Sequence, residues 1–344
     1  MKSLLTSLLL TVISCISLRG QSFNETMQDI NSFKVFKTLE EALNKPDEVV
    51  RLDLSDSKID ETALEESLPK FNKLRELKLS NTFISKIPES IGYLHNLQVL
   101  EIQHLKEQNL NITEIPASIQ QLKEIIYINL IGNPNLEWSQ MLTYLSKLPK
   151  LVNIALMNNS FEKLPAEITK LSSLEMIWLG QNPDLDLRDT FLKLSKLDNL
   201  SQMGLGGNGH TQLPTEISLL KNISNLWLSG NNWENLEGIQ HLPNLTQLSL
   251  HNCNLKIFLT EISTCKNLKY LSLVDNPQLD FGQVLSQLPV STKILNLSNN
   301  NIAHLPINLL KKSTLTKLVL RNNQISESDL DKYKEANNNL EIIM

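Results

Sequence analysis

Leu171-Ser172-Ser173-Leu174-Glu175-Met176-Ile177-Trp178-Leu179-Gly180-Gln181-Asn182 is the stretch whose reading decides the fold. Leu174, Ile177, Leu179 and Asn182 stand at spacings of three, two and three. The same frame returns at Leu151, Ile154, Leu156 and Asn159, and again at Ile223, Leu226, Leu228 and Asn231. In an extended strand, residues two apart share a face. Ile177 and Leu179 therefore point together into a core, whereas Met176, Trp178 and Gly180 point the other way. The closing Asn has an amide suited to bonding the backbone of the turn it ends.

Frames begin at Val49, Leu74, Leu97, Ile125, Leu151, Leu174, Leu200, Ile223, Leu245, Leu268, Thr292 and Leu315, with steps of 22 to 28 residues, most often 23. One such unit cannot bury its own apolar face, so neighbours must stack. The pattern L-x-x-L-x-L-x-x-N over residues 49–325 resembles the leucine-rich repeat superfamily. That resemblance implies an α/β solenoid, a curved horseshoe with a parallel sheet on its concave side. Twelve strands at the usual spacing make a sheet about 55 Å long.

The return halves are of two kinds. Ile87-Pro88, Ile115-Pro116, Leu164-Pro165 and Leu213-Pro214 are each followed three residues later by Ile91, Ile119, Ile168 or Ile217. These resemble the L-P-x-x-I subclass common in bacterial proteins. Asn-Pro at 133–134, 182–183 and 276–277 instead opens longer segments, where Leu142, Leu145 and Leu148, or Phe191, Leu194 and Leu197, fall at helical spacing. The convex side is thus expected to alternate extended turns and short helices. The third repeat is irregular, with Leu105 at the Asn position and a bulged loop expected across His104–Ile112.

The ends fit a capped array. Residues 1–20 read as a signal peptide: Lys2 is basic, and Leu4–Ile16 is an apolar run too short to span a bilayer. Two processing routes remain open. Cleavage near Gly20 would leave Gln21 first; alternatively Val12-Ile13-Ser14-Cys15 resembles a lipobox, which would place a lipid anchor on Cys15. Residues 21–48 are expected to hold a loose lead and then a capping helix. Thr38-Leu39-Glu40-Glu41 is its capping-box start, Leu39, Ala42 and Leu43 its apolar face, and Pro46 its stop. Residues 326–344 form a C-terminal cap, with Ser328 read as the helix cap, Leu330 and Tyr333 facing the last repeat, and Leu340–Met344 a strand stub.

Composition narrows the function. Hydrophobic residues make up 41% but aromatics only 5%, which fits a core of Leu and Ile. Without Lys2 and Arg19, 30 basic residues face 37 acidic ones, a net charge near −7. That argues against nucleic acid, which requires a basic stripe. Cys253 stands at an Asn position and Cys265 at a Leu position, so both read as buried thiols rather than a disulfide framework. The absence of Cys-rich caps, together with the signal, leans bacterial. Seven Asn-x-Ser/Thr triplets, at Asn24, Asn111, Asn158, Asn199, Asn222, Asn244 and Asn296, are what an Asn- and Ser-rich repeat produces by itself.

No reaction centre emerges. Gly204-Leu205-Gly206-Gly207-Asn208-Gly209 matches G-x-G-x-x-G, but Leu205 and Asn208 are repeat positions, and Leu213-Pro214 follows where a helix should open. Asp184, Asp186 and Asp189 lack calcium-loop spacing and read as a helix-capping turn. The six histidines are scattered without metal or catalytic spacing. The chain reads as a binding protein without cofactor or metal, not an enzyme.

The candidate ligand face is spelled by the variable strand positions: Tyr127, Ile131, Met157, Met176, Trp178, Gly204, Trp227 and His251. Trp178 and Trp227 share a column two strands apart, roughly 10 Å, with Gly204 between. The expectation is a slot between the indoles the thickness of one flat group, its wall cleared by Gly180 and Gly206. Exposed Trp and Met concentrate interface energy, so the patch reads as a contact surface. The resemblance implies a protein or peptide ligand, since members of the superfamily mostly bind proteins. A carbohydrate in the slot is the second reading. An intracellular scaffold is the third, if residues 1–20 stay uncleaved.

Overall fold

The computed structural model describes residues 21–105 and 112–344. Residues 1–20, with the expected signal peptide and Cys15, lie outside the described residues, as do 106–111 in the expected bulged loop. The described chain divides into two compact units. The first holds residues up to Leu130 together with Lys147–Leu151; the second holds Ile131–Ser146 and Val152–Met344.

Each repeat contributes one three-residue strand and a return arm. In the first unit the strands are β1 (Val35–Phe36), β2 (Arg51–Asp53), β3 (Glu76–Lys78), β4 (Val99–Glu101) and β5 (Tyr127–Asn129). They pair in sequence order, all parallel, with Leu52, Leu77, Leu100 and Ile128 in register. In the second unit they are β6 (Asn153–Ala155), β7 (Met176–Trp178), β8 (Gln202–Gly204), β9 (Asn225–Trp227), β10 (Gln247–Ser249), β11 (Tyr270–Ser272), β12 (Ile294–Asn296), β13 (Lys317–Val319) and β14 (Glu341–Ile343). These too pair parallel in order. This is a leucine-rich repeat solenoid. The inward pairs, such as Leu77 with Leu79 and Ile177 with Leu179, are fully buried.

The closing Asn residues do what the frame requires. Asn182 donates from Nδ2 to the carbonyls of Leu156 (3.1 Å), Leu179 (3.0 Å) and Gly180 (3.1 Å). Its Oδ1 accepts from the backbone N–H of Asn159 (2.8 Å) and Phe161 (3.3 Å). The link passes from coil to coil through Asn133, Asn159, Asn182, Asn208 and Asn231, and resumes from Cys253 through Asn276 and Asn300 to Asn323. At Cys253 the amide is missing, and the thiol faces the Leu228 and His251 carbonyls at 3.5 Å instead. In the first unit Thr82 substitutes with one bond, Oγ1 to the Leu79 carbonyl at 2.8 Å.

The residue before every closing position except Leu105 is left-handed. Asp56, Asn81, Asn158, Gln181, Asn252, Asp275, Asn299 and Asn322 all have φ between 50° and 62°, and Gly132, Gly207 and Gly230 take the same turn. The next residue after the Asn then selects the arm. Proline, with φ fixed near −65°, follows Asn133, Asn182 and Asn276, and each arm runs into a helix: Trp138–Leu145, Leu187–Leu194 and Phe281–Gln287. Ser160, Gly209, Asn254 and Asn301 turn left-handed again, and those arms stay extended before a short helical turn. The L-P-x-x-I arms end in 3₁₀ turns at Glu89–Tyr93, Ala117–Gln121, Ala166–Lys170 and Thr215–Leu219, tighter than the extended turns expected.

The caps depart from expectation in two places. Residues 21–31 are not a loose lead but a helix, α1 (Gln21–Asn31). Phe23, Thr26, Met27 and Ile30 recur on one side of it, and Ile30 is fully buried. The helix Leu39–Leu43 follows as expected, with Thr38 accepting from the Glu41 N–H at 3.1 Å. At the other end the helix Glu327–Ala336 is capped by Ser326, not Ser328: Ser326 Oγ accepts from the Asp329 N–H at 3.1 Å, whereas Ser328 lies inside the first turn. Tyr333 is buried, and its hydroxyl accepts from the Leu305 N–H at 2.7 Å.

Candidate functional site

The variable strand positions form the candidate face, because the leucines behind them are locked by the core. In the second unit the register sets Trp178, Gly204 and Trp227 in one row. The expected slot between the indoles is closed. Their ring centroids are 4.8 Å apart and tilted by 36°, so the two side chains stack on one another. A Cβ on Gly204 would collide with Cε3 and Cζ3 of Trp178. Glycine is therefore the space into which Trp178 lies, not a recess for a ligand. Gly180 has a similar role: a Cβ there would strike the backbone carbonyl of Gly206. It permits close approach of two turns rather than clearing a wall.

The rest of this part of the face is dry. Ile131 is 2% exposed, Met157 7%, Met176 5%, Trp178 6% and Trp227 9%. Buried amides complete it: Asn225 Nδ2 donates to Gln202 Oε1 at 3.3 Å. Flexible methionines fill the gaps beside the rings. The face over β6–β9 is a closed, packed floor.

Over β10–β13 the face opens. Gln247, His251, Tyr270, Val274, Ile294, Lys317 and Val319 are half-exposed. His251 Nε2 lies 3.4 Å from an Asp275 carboxylate oxygen. Burial holds His251 below the ordinary histidine value, with Asp275 pulling the other way. Tyr270, Ile294 and Val319 escaped the sequence-based selection, which weighted Trp and Met. Their third- and fifth-column positions were the available signal.

Tyr127 belongs to the first unit. Its ring meets Phe23 of α1 edge-on, with centroids 6.0 Å apart. Burial, helped by the Glu101 charge, pushes its phenol well above the usual tyrosine value. Around it the face is ionic: Arg51 Nε to Glu76 at 2.6 Å and Lys78 Nζ to Glu101 at 3.0 Å.

Among the described residues, no group of three or more His, Cys, Asp or Glu could hold a metal ion. No described helix is long and apolar enough to cross a membrane. Cys253 and Cys265 are free and buried, both thiols pushed up to about 12 by burial.

Comparison with known proteins agrees on the fold. Residues 29–150 match a family model described as a leucine-rich repeat region. No curated protein matches the chain. Among solved structures, an internalin of Listeria monocytogenes is 20% identical, with a TM-score of 0.56, covering 92% of this chain and 88% of its own. TLR13 in complex with ssRNA13 is 20% identical, with a TM-score of 0.65, over 90% of this chain and 48% of that one. A leucine-rich repeat protein of Leptospira interrogans is 23% identical, covering 90% of this chain and all of its own, with a TM-score of 0.46. At 20% identity the likeness to the internalin and to TLR13 concerns the solenoid fold alone. Proteins of this class are typically non-enzymatic and bind other proteins.

Proposed function

We propose that this chain is a secreted or cell-surface binding protein that recognises a protein or peptide through the variable face of its strands. The observation that carries the reading is the change along the second unit from a dry floor to a half-exposed surface. Trp178, Trp227, Met157 and Met176 pack that floor closed, and His251, Tyr270 and Ile294 stand beside them where a partner reaches. Packed support under a partly apolar rim lowers the ordering cost of association. Export is supported by Lys2 and the apolar run Leu4–Ile16. The closed indole stack gives no support to a sugar ring held between Trp178 and Trp227.

The test uses the full chain. A partner captured by the intact array is titrated against Tyr270→Ala with Ile294→Ser, and against Leu192→Ser with Leu219→Ser on exposed arm positions. The first pair should weaken binding at least tenfold and the second leave it unchanged. The reverse pattern sinks the reading. N-terminal sequencing of the exported protein tests the signal: a start at Gln21 supports simple cleavage, a blocked lipidated Cys15 the anchor, and an intact Met1 overturns export.

A further inference from the structure

Helix α1 is seated on the variable face of the first unit. Phe23 meets Tyr127, the first residue of β5, edge-on. Asp29 pairs with Arg75, the residue before β3, at 2.7 Å. The carbonyl of Asn31 accepts from Nη1 of Arg51 in β2 at 3.3 Å. The contacts run in order from β5 to β2. Three strand spacings are about 14 Å, and eight helical residues rise about 12 Å. The helix therefore crosses the strands, its axis along the sheet.

The polar network beneath the helix does not depend on it. Arg51 Nε is bonded to Glu76, Lys78 bridges Glu76 and Glu101, and Arg75 Nε donates to Gln98 Oε1 at 2.7 Å. With α1 removed, these networks stay paired among themselves. The helix in turn is lightly held. Among its described residues only Ile30 is fully buried, and the Asp29 side chain is 58% exposed.

We infer that the face of β2–β5 is a docking groove for an amphipathic helix of a partner protein, one that brings an aromatic ring to Tyr127 and a carboxylate to Arg75, and that α1 fills it until displaced. This rests on the variable face being the binding face, and it names the class of partner for the first unit. Arg75 supplies the charge complement, Arg51 being paired with Glu76 and offering only a hydrogen bond to a carbonyl, and Tyr127 supplies the aromatic end. The groove reads helix ends six residues apart, the spacing of Phe23 and Asp29.

The experiment adds a fluorescein-labelled peptide of residues 21–33 in trans. It is titrated by anisotropy into the full wild-type chain and into the full chain carrying Asp29→Arg with Ile30→Asp, which should release α1. Binding to the variant at least tenfold tighter than to wild type is expected, and adding Arg75→Glu to that variant should remove it. No binding to the released chain overturns the groove, and so does equal binding to both chains. Hydrogen exchange decides whether α1 was released: persistent protection of residues 24–31 in the variant overturns displacement. If the variant loses its cooperative melting transition, the helix is integral to the fold and the inference fails. None of these failures touches the partner titration at Tyr270 and Ile294, which stands or falls separately.

Discussion

Trp178 lies across Gly204 and stacks on Trp227, ring centroids 4.8 Å apart, so one missing Cβ seats two indoles on three adjacent strands. Gly204→Ala should therefore force Trp178 off its seat. A loss of about 1–3 kcal/mol is expected, the usual range for an added methyl in a filled site. Urea denaturation measures it, and a red-shifted tryptophan emission should accompany it. Unchanged stability with unchanged emission would show that the stack tolerates a side chain at 204.

The Asn182 side chain makes five hydrogen bonds, two within its own coil and three to the coil before it. Asn182→Ala leaves buried backbone groups in both coils unpaired, at about 1–3 kcal/mol for each group that water cannot reach. A total loss of about 3 kcal/mol or more is expected in equilibrium unfolding. A cost below about 1 kcal/mol would mean the coils do not depend on the ladder.

Cys253 gives the opposite sign. It interrupts that ladder, and its thiol only approaches the Leu228 and His251 carbonyls at 3.5 Å. Cys253→Asn should restore the amide bonds that its neighbours make and stabilise the array by about 1 kcal/mol. A lower melting temperature would contradict this. In the wild type, Cys253 and Cys265, both pushed up to about 12 by burial, should resist iodoacetamide at pH 8 and react only on unfolding.

His210 and His251 are both held below the ordinary histidine value of 6.5, in each case chiefly by burial. The unfolded chain then takes up protons first as pH falls below about 6.5. Stability should accordingly be level above that pH and decline below it, until the folded rings protonate as well. His210→Gln should flatten part of the decline in melting temperature between pH 7 and 5. An identical slope in the variant would assign the decline elsewhere.

The division between what was legible and what was not follows interaction range. Ile177, Leu179 and Asn182 were readable because strand period and turn chemistry act within a few residues and recur twelve times. Pro134, Pro183 and Pro277 announced their helical arms for the same local reason. Ser326 was missed for Ser328 because either serine could begin the same helix, and only the backbone shows which oxygen reaches an N–H.

The sequence by itself determined the register: which side chains enter the core, where each coil closes, and that the odd strand positions form a separate face. Tertiary structure alone decided what that face became. Whether two indoles hold a slot open or fall together depends on side-chain torsions and on dispersion gained by contact across strands, which no local pattern encodes. The seat of α1 on β2–β5 is likewise a contact between residues up to 104 positions apart, Phe23 and Tyr127. Its apolar stripe forms the helix, but only the folded array shows what the stripe lies against.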